Sequence, residues 1–135
     1  MTISHWKAFG TALFSAVLVA TLPGSASADP SDEVLTRENY FGESEFQGDG
    51  ERLGCLDFAA DGWGTRAAIE EWHTGTNSWQ ETTLRCFDDT SRSSDGSGWT
   101  WVNGSIKDGT LVRIHQWSSK GSSITGSVYS RSGVA

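Results

Sequence analysis

From residue 52 to residue 129, short runs rich in β-branched and aromatic residues alternate with clusters of Gly, Ser, Thr and Asp. Within the runs, apolar and polar residues change places at every second position, the period that sends successive side chains to opposite faces of a strand. The pattern predicts strands over 52–58, 65–72, 79–87, 99–106, 110–117 and 124–129. Between them lie Asp61-Gly62, Thr74-Gly75, Asp95-Gly96, Asp108-Gly109 and Lys120-Gly121, dipeptides that turn a chain. Lys107-Asp108-Gly109 is the best short hairpin signal among them. No stretch holds a helical period, so the expectation is an all-β, antiparallel sandwich of about six or seven strands.

Folding 65–72 onto 79–87 about Gly75-Thr76 sets Trp72 opposite Trp79, Ala67 opposite Leu84 and Thr65 opposite Cys86. Ala67, Ile69, Thr82, Leu84 and Cys86 then share a core face, and Trp72 and Trp79 lie on the other. The same register sets Glu70 against Glu81 and Arg66 against Arg85. Like charges directly across a pair are unfavourable, so either the register is offset or the pairing serves a purpose.

Residues 1–28 read as a cleaved export signal. Lys7 precedes an apolar run over 8–22, Pro23-Gly24 breaks it, and Ala26-Ser27-Ala28 supplies small residues for cleavage. The run is about 15 residues, short of the roughly 20 a spanning helix needs, so no membrane attachment is expected after cleavage. A secreted, extracellular protein follows. The whole chain carries a net charge of −7, which disfavours nucleic acid as a partner. The charge is concentrated: 29–51 holds eight acids against Arg37 alone, whereas the rest is nearly balanced. Residues 29–50 therefore read as an acidic, flexible segment ahead of a domain over 51–135.

Cys55 and Cys86 are the only cysteines, and in an exported chain they read as a disulfide closing a loop of about 30 residues. Candidate chemistry is sparse. Glu70 and Glu81, facing each other, carry the alternative of a small glycoside-directed enzyme, because a retaining glycosidase sets two carboxylates roughly 5 Å apart. A chain this small offers little to build a cleft, so no catalytic residues are assigned. A second alternative is a protein inhibitor, with 88–98 as its exposed loop. His73 and His115 match no nucleophile motif and no zinc spacing. Asp57, Asp61, Asp88, Asp89 and Asp95 flank the cysteine strands, and an oxygen-rich calcium site could draw on Asp88-Asp89-Thr90-Ser91; they fit no EF-hand loop, however, and read as turn caps, so no metal and no cofactor is assigned. Aliphatic content is low, and most of the tryptophans outside the leader are expected in the core. Trp72 and Trp79 are the exception. Two indoles on a water-facing sheet are costly unless covered, which marks them as ligand-contacting residues.

Over 53–133, a strand ending at Cys55, the turn Ala60-Asp61-Gly62, an aromatic strand and then Cys86 resemble the small secreted two-cysteine proteins common in actinobacteria. The resemblance implies an Ig-like sandwich and export, and no activity. The reading is thus a non-enzymatic extracellular module that binds a polymer, a surface or another protein. The secreted form should begin at Asp29, which intact-mass measurement checks; a retained leader contradicts it.

Overall fold

The computed structural model describes residues 33–89 and 98–135. Among these residues nine strands form two antiparallel sheets packed face to face. In chain order they are β1 (Val34–Glu38), β2 (Gly42–Gln47), β3 (Arg52–Asp57), β4 (Gly64–His73), β5 (Ser78–Asp88), β6 (Trp99–Asn103), β7 (Leu111–Lys120), β8 (Ser123–Tyr129) and β9 (Gly133–Val134). One sheet runs β1-β2-β3-β6; the other runs β5-β4-β7-β8, with β9 pairing beside β8 on β7. Residues 1–32, which hold the expected export signal, and residues 90–97, including Asp95 and most of the expected inhibitor loop, lie outside the described residues.

The six expected strands all form, and three more join them. Two come from the segment expected to be a flexible acidic arm. In β2, Gly42, Ser44 and Phe46 point inward and are buried while Glu43, Glu45 and Gln47 point outward. The acidic run is therefore the wet face of an amphipathic strand, and its dry face anchors the core through Leu35 and Phe46. Glu33 adds a tie at the far end: it accepts from the Arg131 guanidinium and from the Val134 N–H, and the Arg131 bond first of all holds its pKa below the usual value.

Lys107-Asp108-Gly109 does form a tight turn, closed by Thr110 N–H on the Lys107 carbonyl at 3.1 Å with Gly109 at φ +77°. It is not a hairpin. It carries the chain from one sheet to the other, because β6 pairs with β3 and β7 with β4. Ile106, at the start of the crossing, drops into the core.

Cys55 and Cys86 are bridged, with Cα atoms 5.8 Å apart, linking β3 of one sheet to β5 of the other. Around the bridge pack Leu35, Phe46, Leu53, Ala67, Ile69, Leu84, Val112 and Ile114. The tryptophans expected in the core are not there. Trp63, Trp72, Trp79, Trp99, Trp101 and Trp117 are all half-buried and lie outside it. Trp99 and Trp101 stack at 5.3 Å over Gly54, where a Cβ would collide with both rings. Ser44, Gln116 and Ser118 are buried in place of larger apolar groups, and Ser44 Oγ donates to Gln116 Oε1 at 2.5 Å while Gln116 Nε2 donates to the Gly42 carbonyl at 2.8 Å.

Replacing both cysteines with Ala should destabilise the domain by about 3–4 kcal/mol in the chain-entropy picture. Denaturant unfolding of the double variant checks this, and an unchanged midpoint would reject the bridge as a main support.

Candidate functional site: the outer face of the five-stranded sheet

Inward residues of this sheet belong to the core, so its outer face is made by the alternate positions: Arg66, Glu70 and Trp72 on β4; Trp79, Glu81, Arg85 and Phe87 on β5; Arg113, His115 and Trp117 on β7; Ile124, Ser127 and Tyr129 on β8. Trp72 and Trp79 pair across the hairpin as expected, their rings 5.4 Å apart and edge-on. Glu70 also stands opposite Glu81. Beyond that point the register shifts at an irregularity between Ala68 and Glu70. Ala67 therefore pairs with Cys86 rather than Leu84, and Thr65 with Asp88 rather than Cys86.

The shift removes the expected Arg66–Arg85 clash. Arg66 stands opposite Phe87, with its guanidinium 3.9 Å from the ring centroid and its Nε on Ser119 Oγ at 2.5 Å. Arg85 turns back along its own strand to Glu81 at 2.7 Å. The Glu70–Glu81 juxtaposition survives because a third strand supplies its counter-charge. Arg113 on β7, in register with Glu70, donates to its Oε2 from Nε at 2.7 Å and from Nη2 at 2.6 Å. Each glutamate thus has its own guanidinium, and the pair of acids is a four-charge arrangement on the sheet surface.

Arg113 is also the hinge of a row of planar groups. Its guanidinium lies 4.4 Å from the Trp79 ring centroid and 4.2 Å from that of Tyr129. Tyr129 stacks on His115 at 4.5 Å, within 15° of parallel, and His115 meets Trp117 at 4.7 Å. The row runs Trp72, Trp79, Arg113, Tyr129, His115, Trp117, across four strands from the hairpin end of β4 and β5 to β8. Cation–π and ring-stacking contacts each add about 0.5–1.5 kcal/mol and hold the planes in fixed order.

At the Trp117 end, Glu81, His115, Trp117, Ile124 and Ser127 line an open groove of about 230 Å³. Ile124 is 67% exposed and Tyr129 44%, so this end presents apolar surface to water. His115 Nε2 shares a hydrogen bond with Ser127 Oγ at 2.8 Å. Its Nδ1 is 3.7 Å from Glu70 Oε1, too far for a hydrogen bond, and Glu70 is already held by Arg113. The three side chains therefore lack the relay of a Ser–His–acid triad. Burial first of all pushes the His115 pKa below its ordinary value, and Arg113 adds to this, while Glu70 and Glu81 pull the other way. The imidazole is neutral at neutral pH.

His73 lies outside this row and bonds Glu71 at 2.8 Å. Asp61 caps a turn as expected, accepting the Trp63 N–H at 2.8 Å, whereas Asp57 and Asp88 are buried strand residues. Among the described residues no group of three or more His, Cys, Asp or Glu side chains is placed to hold a metal ion. Sequence reasoning placed Trp72 opposite Trp79 but did not reach the groove, which depends on how β8 lies against β7. There the register shifts between Gln116 and Ser118, with Gly126 at φ +64° opposite, and that shift brings Ser127 and Ile124 to the outer face. No protein-family model matches the chain, nor does any curated protein or solved structure.

An NMR titration should place the His115 midpoint below 6.5. Because the fold favours the neutral ring, its contribution to stability is complete above 6.5 and is lost as the pH falls through the folded value. His115→Gln should flatten the fall in Tm just below that pH; a midpoint at or above 6.5 would mean that the carboxylates outweigh burial.

Proposed function

We propose that the protein is a secreted, non-enzymatic binding module and that its ligand lies along the outer face of the five-stranded sheet. The observation that carries this reading is the groove beside Trp117, lined by apolar Trp117 and Ile124 together with polar Glu81, His115 and Ser127, continuing one fixed row of planar side chains. Such a surface suits the flat, apolar face of a sugar ring. Stacking takes the ring's C–H face, and Glu81, Ser127 and His115 offer both donors and acceptors to hydroxyl groups at its edge. Trp72 and Trp79, the ligand-contacting residues expected from sequence, extend the same row beyond Arg113 and provide a second ring-sized platform.

Charge narrows the class further. The chain as a whole is acidic, yet this face sets Arg66, Arg85 and Arg113 against Glu70 and Glu81, with His115 neutral. A neutral polysaccharide meets no electrostatic barrier at such a face, and the open groove allows a long chain to pass without an end. The disulfide suits an oxidising, extracellular setting where such polymers are found.

Binding is favoured over the glycoside-directed enzyme. A glycosidase presents both carboxyl groups to the scissile bond. Glu70 receives two bonds from Arg113 and Glu81 one from Arg85, so each carboxyl is engaged by a guanidinium of the sheet itself.

Retention of the secreted chain on insoluble cellulose, chitin and β-glucan tests the proposal. Binding to at least one is expected, with Trp117→Ala reducing retention about tenfold or more and leaving the melting temperature nearly unchanged. Retention that is unaffected by Trp117→Ala, or absent on all three, overturns it.

A further inference from the structure

Two side chains of β8, Ile124 and Ser127, line the groove together with Glu81, His115 and Trp117. Three residues apart, they would face opposite ways on a regular strand. The register shift changes the count: Gln116 pairs with Val128 and Ser118 with Thr125, so Gly126 and Ser127 together stand opposite Trp117. Gly126 absorbs the extra residue at φ +64°, a conformation open to glycine. One strand therefore presents an aliphatic side chain and a hydroxyl to the same groove as the indole.

The two make different demands on a ligand. A lone exposed isoleucine is ordinary on a protein surface. This one is 67% exposed and shares its groove with Trp117, so a ring stacked on the indole comes within reach of it. The hydroxyl groups around a plain glucose ring give Ile124 nothing apolar to bury against, whereas a methyl group does. Ser127 needs a polar partner. Its Oγ shares one hydrogen bond with His115 Nε2 at 2.8 Å, donating or accepting according to the imidazole tautomer. The further bond it can make is then an accepting or a donating one. An acetamido group carries a methyl group, an amide N–H and a carbonyl in one small planar unit. It meets Ile124 with the first and Ser127 with either of the others.

Size and charge narrow the source. The groove measures about 230 Å³, below the roughly 300–1,000 Å³ of pockets that enclose drug-sized ligands. It suits one substituted ring of a longer chain. Glu81 lines it, and the whole chain carries a net charge of −7. Glycan strands with a carboxylate on alternate rings are repelled by such a site. A deacetylated, cationic chain is attracted to Glu81 but leaves Ile124 uncovered. A neutral N-acetylated chain meets neither difficulty.

We propose that the groove is an N-acetyl subsite whose ligand is a neutral chain of N-acetylglucosamine, with a sugar ring on Trp117, its methyl group on Ile124 and its amide at Ser127. The assignment rests on the reading of this face as a sugar-binding surface and names the sugar. Trp117 gives affinity for any pyranose ring, and Ile124 and Ser127 discriminate among rings.

Calorimetry of the secreted, oxidised chain with chitohexaose, cellohexaose, the fully deacetylated chitosan hexamer and soluble peptidoglycan glycan strands tests this. Chitohexaose should bind at least about tenfold more tightly than cellohexaose, the discrimination that one well-placed apolar group can give. Ile124→Ser and Ser127→Ala should each remove most of that preference by weakening chitohexaose, with cellohexaose affinity and melting temperature nearly unchanged. Equal affinities overturn the proposal, as does tighter binding of cellohexaose, of the deacetylated hexamer or of the glycan strands. A preference that persists in either variant does the same. In all of these cases the face still binds sugar; binding of none of the four ligands overturns the sugar-binding reading itself.

Discussion

A covalent bridge between two facing sheets sets how closely they approach. Sheets packed through ordinary side chains stand about 10 Å apart. The Cys55 and Cys86 Cα atoms stand 5.8 Å apart, so the layers pinch together there. The residues paired with the two cysteines are small: Ser44 stands opposite Cys55 and Ala67 opposite Cys86, and Gly42 has no room for a Cβ. The indoles lie outside this core. With its widest side chains excluded from the core, the domain spends them on rows and stacks outside, over Gly54 on one sheet and around Arg113 on the other.

The interior compensates with polar cross-links. Ser44 and Gln116 join the sheets through bonds that leave neither side chain unmet, with Gln116 reaching on to the Gly42 carbonyl. Such bonds contribute little net stability, but their loss leaves buried groups unsatisfied, so they specify which strand faces which. A thin core of Leu, Ile, Val and one Phe would tolerate sliding; a serine and a glutamine that must meet would not. The same logic governs the outer face, where Arg113 must sit at the level of Glu70 for the opposed glutamates to coexist.

How much of this was legible in the sequence follows from the range of each interaction. Strands with clean alternation, the Trp72–Trp79 pairing and the bridge depend on neighbours in sequence or on a count of two cysteines, and all were readable. The acidic stretch misled because charge drew the eye from alternation: Gly42, Ser44 and Phe46 form a period-two face, but two of the three are not apolar. The irregularity after Ala68 was visible only as a conflict, the Arg66–Arg85 juxtaposition, and its resolution required Phe87 two positions on. The groove was beyond reach, since Glu81 and Ser127 meet it from strands that are not adjacent in the sheet.

The strand that carries Cys86 is also the outermost one of its sheet. β5 has eleven residues and, among the described residues, pairs along one side only, with β4. A long edge strand is a template for pairing with other chains, and the defences here are modest: the Glu81–Arg85 ion pair and the register shift beside it. The bridge to β3 is what holds that edge down onto the opposing layer. Without the bridge the edge keeps its pairing with β4, the core packing of Leu84 and the Asp57 N–H bond to Asp88, but loses its covalent tie to the other sheet. The bridge is therefore more than a stabilising link: it pins an eleven-residue strand edge, the kind of surface on which other chains can pair, to the opposing layer.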